Sequence, residues 1–159
     1  MSDFTVRPAV DSDVPGIRRL VAQYAVHHIL LDRSEEDIRH YLKNFSVAVR
    51  GDTVIGCVAV RAFGSDLFEV RSLAVDPACH GCGIGRAMVE WKIARMREEL
   101  PLFRLFALTL TPGFFQRLGF AVTDKEQFPE KIWSDCQNCP KKDRCDEIAV
   151  LYQFPGAEA

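Results

Sequence analysis

The stretch Arg71-Ser-Leu-Ala-Val-Asp-Pro-Ala-Cys-His-Gly-Cys-Gly-Ile-Gly-Arg86 decides how the chain is read. Its first residues close the apolar run Leu67 to Val75, a strand; a glycine-rich turn comes next, and a helix begins at once. Gly81, Gly83 and Gly85 let the main chain approach a ligand closely. The first N–H groups of the helix lack internal partners and sit at the positive end of its dipole. Such a turn suits a pyrophosphate, and Arg86 adds a guanidinium fork that accepts two phosphate oxygens. A ligand-free strand-to-helix turn can show the same short glycine pattern, so the loop alone leaves both readings open.

Outward from this stretch, periodicity gives a mixed α/β (α+β) pattern. A strand at Phe4 to Arg7 precedes a helix capped by Asp11 or Ser12, with Val14, Ile17, Leu20, Val21 and Tyr24 as its buried stripe. Ser34 caps a second helix that carries Ile38, Tyr41 and Leu42 inward. Strands Phe45 to Arg50, Val54 to Arg61 and Leu67 to Val75 are joined by turns at Gly51-Asp52 and Gly64-Ser65-Asp66, an antiparallel meander. The helix after the loop runs to Leu100, with Ile84, Met88, Val89, Trp91, Ile93 and Met96 on a wide apolar face, and Pro101 stops it. A buried strand, Phe103 to Leu110, leads to a short helix with Thr111 as cap, Pro112 in first position and Gly119 at its left-handed end. Strands near Phe120 to Thr123 and Glu147 to Phe154 complete a mixed, mostly antiparallel twisted sheet flanked by helices.

At 159 residues the chain is long enough for one core-forming domain, expected over residues 1–154, with 155–159 as a loose tail. The 20 basic and 22 acidic side chains leave a net charge of −2, which argues against a broad nucleic-acid-binding surface. No apolar run approaches the roughly 20 residues that cross a bilayer, and Met1 to Arg7 lacks a secretory apolar run, so a cytoplasmic protein is expected.

The loop carries neither Gly-Lys-Ser/Thr nor Gly-x-Gly-x-x-Gly. Instead His80-x-x-Gly83-x-Gly85, after Leu73-x-Val75-x-Pro77, resembles the acyl-CoA loop of the GNAT N-acetyltransferases, usually Gln/Arg-x-x-Gly-x-Gly/Ala, with His80 a departure. Phe114-Phe-Gln-Arg-Leu-Gly-Phe120 is similar to the helix and Gly-Phe strand start that close that fold. Leu31-Asp-Arg-Ser-Glu35, Glu69-Val-Arg-Ser-Leu-Ala-Val75, Phe106-Ala-Leu-Thr109 and Pro129-Glu-Lys-Ile-Trp-Ser-Asp-Cys136 resemble the short, single-domain N-acetylglutamate synthases, from about Val6 to Leu151. The resemblance implies a GNAT fold, acetyl-CoA as co-substrate and L-glutamate as acceptor, giving N-acetyl-L-glutamate and CoA at the head of arginine biosynthesis. It also implies that main-chain groups of Leu73, Ala74 and Val75 pair with the pantetheine arm while His80, Gly81, Cys82, Gly83, Ile84, Gly85 and Arg86 wrap the pyrophosphate.

Direct acetyl transfer needs a deprotonated amine, a stabilised oxyanion and a proton for the departing thiolate. Glu69 is the candidate base, since strict alternation groups it with Leu67, Leu73 and Val75 on an apolar face that disfavours its charge. Arg71 shares that face, and a plain Glu69–Arg71 ion pair is the competing reading. Phe115 occupies the position where many GNATs carry an acid tyrosine and has no proton to give, which leaves Tyr24, Tyr152, water or direct thiolate release. Two substrate carboxylates call for Arg forks and a Lys charge, and Arg33, Arg71 and Lys131 lie in the subfamily-like segments. Lys92, Arg95 and Arg97 fall on the polar side of the long helix.

Six cysteines in a chain with this composition read as reduced thiols. Cys136-x-x-Cys139-x5-Cys145 has a spacing suited to a structural soft metal but supplies only three sulfurs, so thiols in a loop are the simpler account. Cys79 and Cys82 form a second pair inside the glycine turn, open to oxidation, and Cys57 is a small buried hydrophobe. Two other functions compete: a GNAT enzyme for another amine (a protein N-terminus, a polyamine or a drug-like amine), or a non-catalytic acyl-CoA- or metal-responsive module. A homodimer is common among such folds.

Overall fold

The computed structural model describes residues 3–25, 33–124 and 147–156. Its elements are β1 (Thr5–Pro8), α1 (Val14–Ala25), α2 (Glu35–His40), β2 (Phe45–Arg50), β3 (Thr53–Ala62), β4 (Leu67–Val75), α3 (Ile84–Glu99), β5 (Phe103–Thr109), α4 (Pro112–Gln116), β6 (Ala121–Thr123) and β7 (Ile148–Phe154). The strands follow the order β1-β2-β3-β4-β5-β7-β6, a seven-stranded mixed sheet. Pairings β1–β2, β2–β3, β5–β7 and β6–β7 are antiparallel, and β4–β5 is parallel. The chain divides into two compact units, residues 1–61 with 70–99, and 62–69 with 100–159.

In the first unit the strands are covered on both faces, and the residues alternate accordingly. Phe45, Val47, Cys57 and Ala59 pack with Val14, Ile17, Leu20 and Val21 of α1 and Ile38 of α2. Gly56 faces the other way: a Cβ there would lie 2.8 Å from Met88 Cε and 3.0 Å from Ile84 Cγ2, so its missing side chain is what lets the first turns of α3 lie against β3. The stripe of α1 is as the periodicity predicts. Its start differs, because Asp13, not Asp11 or Ser12, organises the turn. The Asp13 carboxylate accepts the Val10 N–H at 2.8 Å and a two-pronged bond from Arg7 at 2.7 and 3.0 Å. Burial works against the Asp13 charge, but the bonds from Arg7 and Val10 outweigh it and hold this carboxyl below the usual range.

Ser34 caps α2 as expected, accepting the Asp37 N–H at 3.1 Å. Tyr41 does not point inward; α2 stops at His40, which leaves Tyr41 44% exposed. On α3 the buried residues are Ile84, Met88, Val89, Ile93 and Met96, whereas Trp91 is half-buried under the Arg95 guanidinium, 4.8 Å above its ring.

The second unit is built on aromatic packing. Phe103 lies against Phe68, Tyr152 and Phe154, and Phe115 makes edge contacts with Phe114 and Phe120. Leu67, Phe106 and Ala149 form its buried cluster. Pro112 opens α4 as predicted, but Thr111 does not cap it; the Thr111 hydroxyl meets Thr109 Oγ1 at 3.1 Å instead. Gly119, at φ 97°, ends the turn after α4 in the left-handed region.

Candidate functional site

The loop after β4 is shaped by a chain of local bonds. Asp76 N–H donates to the Ile55 carbonyl at 2.9 Å, anchoring the strand end to β3, and Asp76 Oδ1 accepts the Ala78 N–H at 3.0 Å. That cap, with Pro77 in first position, sets a single 3-10 turn over Pro77–Cys79. Gly81 and Gly83 then adopt φ of 83° and 76°. A Cβ at either would meet nothing within 4 Å, so it is backbone conformation, not space, that calls for glycine there. Ala87 is the first helical residue to reach an i−4 carbonyl, that of Gly83 at 3.0 Å. The amides of Ile84, Gly85 and Arg86 precede it and have no intrahelical acceptor. Residues 80 to 83 are exposed, and Ile84 beneath them is buried. The loop therefore presents exposed main chain and free amides at the positive end of a helix, suited to a phosphate-bearing group.

Arg86 is exposed and gives its Nε–H to Glu90 at 2.8 Å. An exposed i,i+4 pair contributes about 0.3–0.5 kcal/mol, little enough for the fork to turn toward a phosphate.

His80, the departure from the family pattern, is held by α1. The Tyr24 hydroxyl donates to the Val75 carbonyl at 2.6 Å and lies 2.8 Å from His80 Nε2. A hydroxyl has one proton, and it goes to the carbonyl, so His80 Nε2 must be the donor to Tyr24 and, in the neutral ring, Nδ1 the acceptor. Burial, the largest influence, raises the Tyr24 hydroxyl above its ordinary value and keeps it protonated at neutral pH. Tyr24 thereby links α1, the end of β4 and the first residue of the loop.

Further up β4, the strict alternation expected of this strand fails. Ser72 has φ 53°, the one non-glycine residue in the left-handed region among the described residues. Burial along β4 does not alternate either: Leu67, Glu69, Val70 and Ala74 are buried, whereas Phe68, Arg71, Ser72, Leu73 and Val75 are partly exposed. Glu69 is therefore not carried onto one face with Leu73 and Val75 by simple period two. Glu69 itself is 3% exposed and stands opposite Phe106 in the β4–β5 register. Arg71 is half-buried. The Cys57 thiol donates to the Ser72 carbonyl at 3.4 Å, and burial pushes that thiol up to about 12.

Arg33 is brought to the same stretch from the residue before the α2 cap. Its Nε–H donates to Asp37 at 2.7 Å, its Nη1 reaches Ser72 Oγ at 3.4 Å, and its guanidinium lies 5.0 Å from the Phe45 ring centre and 5.7 Å from that of Tyr41. Arg33 thus meets β4 at Ser72, the residue after Arg71. Ser72 and Tyr24 are the partners that the one-dimensional pattern does not single out as loop or pocket builders. Lys131 and the cysteines at 136, 139 and 145 lie outside the described residues. Among the described residues no group of three His, Cys, Asp or Glu side chains is assembled to hold a metal ion, and no helix is long and apolar enough to cross a membrane. Phe115 is buried and packed between aromatic rings.

Comparison with known proteins agrees with this geometry. A family profile described as an acetyltransferase (GNAT) domain matches residues 41–122. An N-acetyltransferase of Chlorobaculum tepidum, CT2212, named as uncharacterized, is 44% identical over 150 residues, 94% of this chain and 96% of its own. The amino-acid acetyltransferase of Mycobacterium tuberculosis is 42% identical over 118 residues, 72% of this chain and 67% of its own. Among solved structures, Rv2747 of Mycobacterium tuberculosis in complex with CoA superposes with a TM-score of 0.78 and 34% identity, covering 92% of this chain and 97% of that one. The N-acetylglutamate synthase of Neisseria gonorrhoeae, complexed with coenzyme A and N-acetyl-glutamate, gives a TM-score of 0.83 at 26% identity over 96% of this chain, which spans 35% of that longer one. With the profile covering half of the sequence and a full-length relative at this level of identity, the chain belongs to the GNAT acetyltransferase family.

Proposed function

We propose that the protein transfers the acetyl group of acetyl-CoA directly to the α-amino group of L-glutamate, releasing CoA and N-acetyl-L-glutamate. The observation that carries the nucleotide half of this reading is the loop itself: left-handed Gly81 and Gly83 followed by the uncommitted amides of 84–86. These donors take the pyrophosphate, Arg86 adds charge, and the main chain of Leu73 to Val75 runs alongside the pantetheine arm. Arg33 and Arg71, with Lys131, take the substrate carboxylates. Support for an amino-acid acceptor comes from the relatives named amino-acid acetyltransferase and from the N-acetyl-glutamate bound in the Neisseria enzyme.

In this reading Glu69 removes the ammonium proton, directly or through water, and the amine attacks the thioester carbon. The attacking nitrogen gives up its remaining extra proton to water or the departing sulfur as the tetrahedral oxyanion collapses, expelling the CoA thiolate. With phenylalanine at 115 and the Tyr24 proton bonded to Val75, the thiolate takes its proton from Tyr152 or solvent, or leaves as the anion. Acetyl-CoA supply makes the cytoplasm the working compartment, and the product feeds arginine biosynthesis.

The test is thiol release from acetyl-CoA with a panel of amines. Turnover with glutamate well above aspartate, glutamine, polyamines and peptide N-termini supports the proposal. Turnover confined to another amine overturns the acceptor. CoA binding with no turnover on any amine overturns the catalytic reading.

A further inference from the structure

The glycine loop holds a sulfur pair that acetyl transfer does not use, Cys79-His80-Gly81-Cys82. The Cys82 N–H donates to the Cys79 carbonyl at 3.4 Å, three residues back. A turn of that kind keeps its first and fourth Cα atoms within about 7 Å, close to the roughly 4.4–6.8 Å that disulfides span. The two thiols sit in different settings. Cys82 is exposed, whereas Cys79 is buried and receives an Nη1–H bond from Arg50 at 3.5 Å. A guanidinium donor on a sulfur stabilises the negative charge that sulfur carries as it attacks. Arg50 Nε is, besides, a buried donor with no partner among the described residues. Cys82 is flanked by Gly81 and Gly83, around which a Cβ would meet nothing within 4 Å, so this piece of main chain has room to turn.

We infer that Cys79 and Cys82 are a reversible oxidation site, and that closing their disulfide disables the loop for CoA. The oxidant is a peroxide. Hydrogen peroxide transfers one oxygen to the exposed Cys82 sulfur, giving a sulfenic acid and water. The Cys79 sulfur then attacks the Cys82 sulfur, the S–O bond breaks, and the departing hydroxide leaves with the Cys79 proton as a second water. Two thiols are oxidised and one peroxide reduced. A dithiol reverses the step by exchange. To reach Cys79, the Cys82 side chain turns inward and the Gly81 and Gly83 dihedrals change, so the main chain that leads into the free amides of 84–86 is displaced. The second half of the inference rests on the acetyl-CoA reading; the first does not.

The experiment treats the reduced full-length chain with hydrogen peroxide, maps disulfides by peptide mass spectrometry, and measures CoA binding by calorimetry before oxidation, after it, and after dithiothreitol. The expected result is a 79–82 disulfide, CoA affinity lower by about tenfold or more, which is 1.4 kcal/mol or more, and recovery on reduction. In Cys82→Ser and in Cys79→Ser, each compared with its own reduced form, peroxide leaves CoA affinity unchanged. A peptide map without the 79–82 link overturns the oxidation site, and a mapped link with unchanged CoA affinity overturns its consequence. Reduced protein that does not bind CoA sinks the acetyl-CoA reading and the consequence with it, while the map still decides the oxidation site.

Discussion

Replacing Tyr24 with phenylalanine removes one oxygen and leaves the ring, so it isolates the hydroxyl that ties α1 to the end of β4 and to His80. Two bonds are lost, to the Val75 carbonyl at 2.6 Å and from His80 Nε2 at 2.8 Å. Each neutral bond is worth a net ~1 kcal/mol, so the variant should lose about 1–2 kcal/mol of stability. At roughly 2–4 °C per kcal/mol for a domain of this size, Tm should fall by about 2–8 °C. The loss depends on pH. Burial raises the folded-state value of Tyr24 above its unfolded one, so its contribution is complete below about pH 10 and disappears as pH rises through the folded value. The gap between wild type and Tyr24→Phe therefore closes at high pH. Function should follow His80: CoA affinity falls severalfold in Tyr24→Phe, and the effect vanishes in a His80→Ala background, giving a coupling of at least about 0.5 kcal/mol in a double-mutant cycle. Calorimetric titration with CoA and thermal melts across pH read all of this. Unchanged Tm at neutral pH, or strictly additive effects of the two substitutions on CoA binding, would refute the link from Tyr24 through His80 to the loop.

Three other outcomes bear on separate parts of the molecule. Gly83→Ala should cost about 1–2 kcal/mol because of its left-handed φ alone and weaken CoA binding, whereas Gly113→Ala, with the same open space but ordinary helical φ in α4, should gain about 0.5–1 kcal/mol in denaturant melts. Asp13→Asn should lose about 1–3 kcal/mol at pH 7. Since the Asp13 carboxyl is held low, that difference is full above the unfolded value near pH 4 and shrinks as pH falls through the folded one, which urea titrations at several pH values will show. Cys57, buried and with its thiol raised to about 12, should stay unmodified when native protein meets a maleimide at pH 8 while the exposed Cys82 reacts, as read by peptide mass.

Much of the fold is visible in the residue pattern where short-range chemistry decides it. Phe45–Arg50 and Leu67–Val75 form strands over those same residues, because alternating apolar side chains and the flanking turn dipeptides specify them locally. The apolar stripe of α1 and the start of α3 behave likewise. What escaped the pattern was set by contacts and backbone angles that hydrophobic periodicity does not encode. Asp11, Ser12 and Asp13 all offer a capping oxygen, and only the arrival of Arg7 selects Asp13. The left-handed Ser72 leaves no trace in composition, so β4 reads as a plain alternating strand although its backbone leaves the extended form there and its burial does not alternate. Arg33 is legible as a cation in a family-like segment, but its seat among Tyr41, Phe45 and Ser72 depends on tertiary contacts, that with Ser72 spanning 39 residues. The loop is the opposite case: its glycine spacing states a backbone requirement directly, and Gly81 and Gly83 take the left-handed dihedrals that only such residues adopt at ease.

The proposed function stands on main-chain amides between His80 and Arg86 receiving the pyrophosphate of acetyl-CoA. Amide-resolved NMR during titration of 15N-labelled protein with CoA watches those very groups. Saturable shifts should concentrate at residues 80–86 and along Leu73 to Val75. With pantetheine, which lacks the nucleotide diphosphate, the shifts at 80–86 should vanish while those at Leu73 to Val75 remain. Shifts confined to other parts of the chain, or an unperturbed loop at saturating CoA, would contradict the assignment.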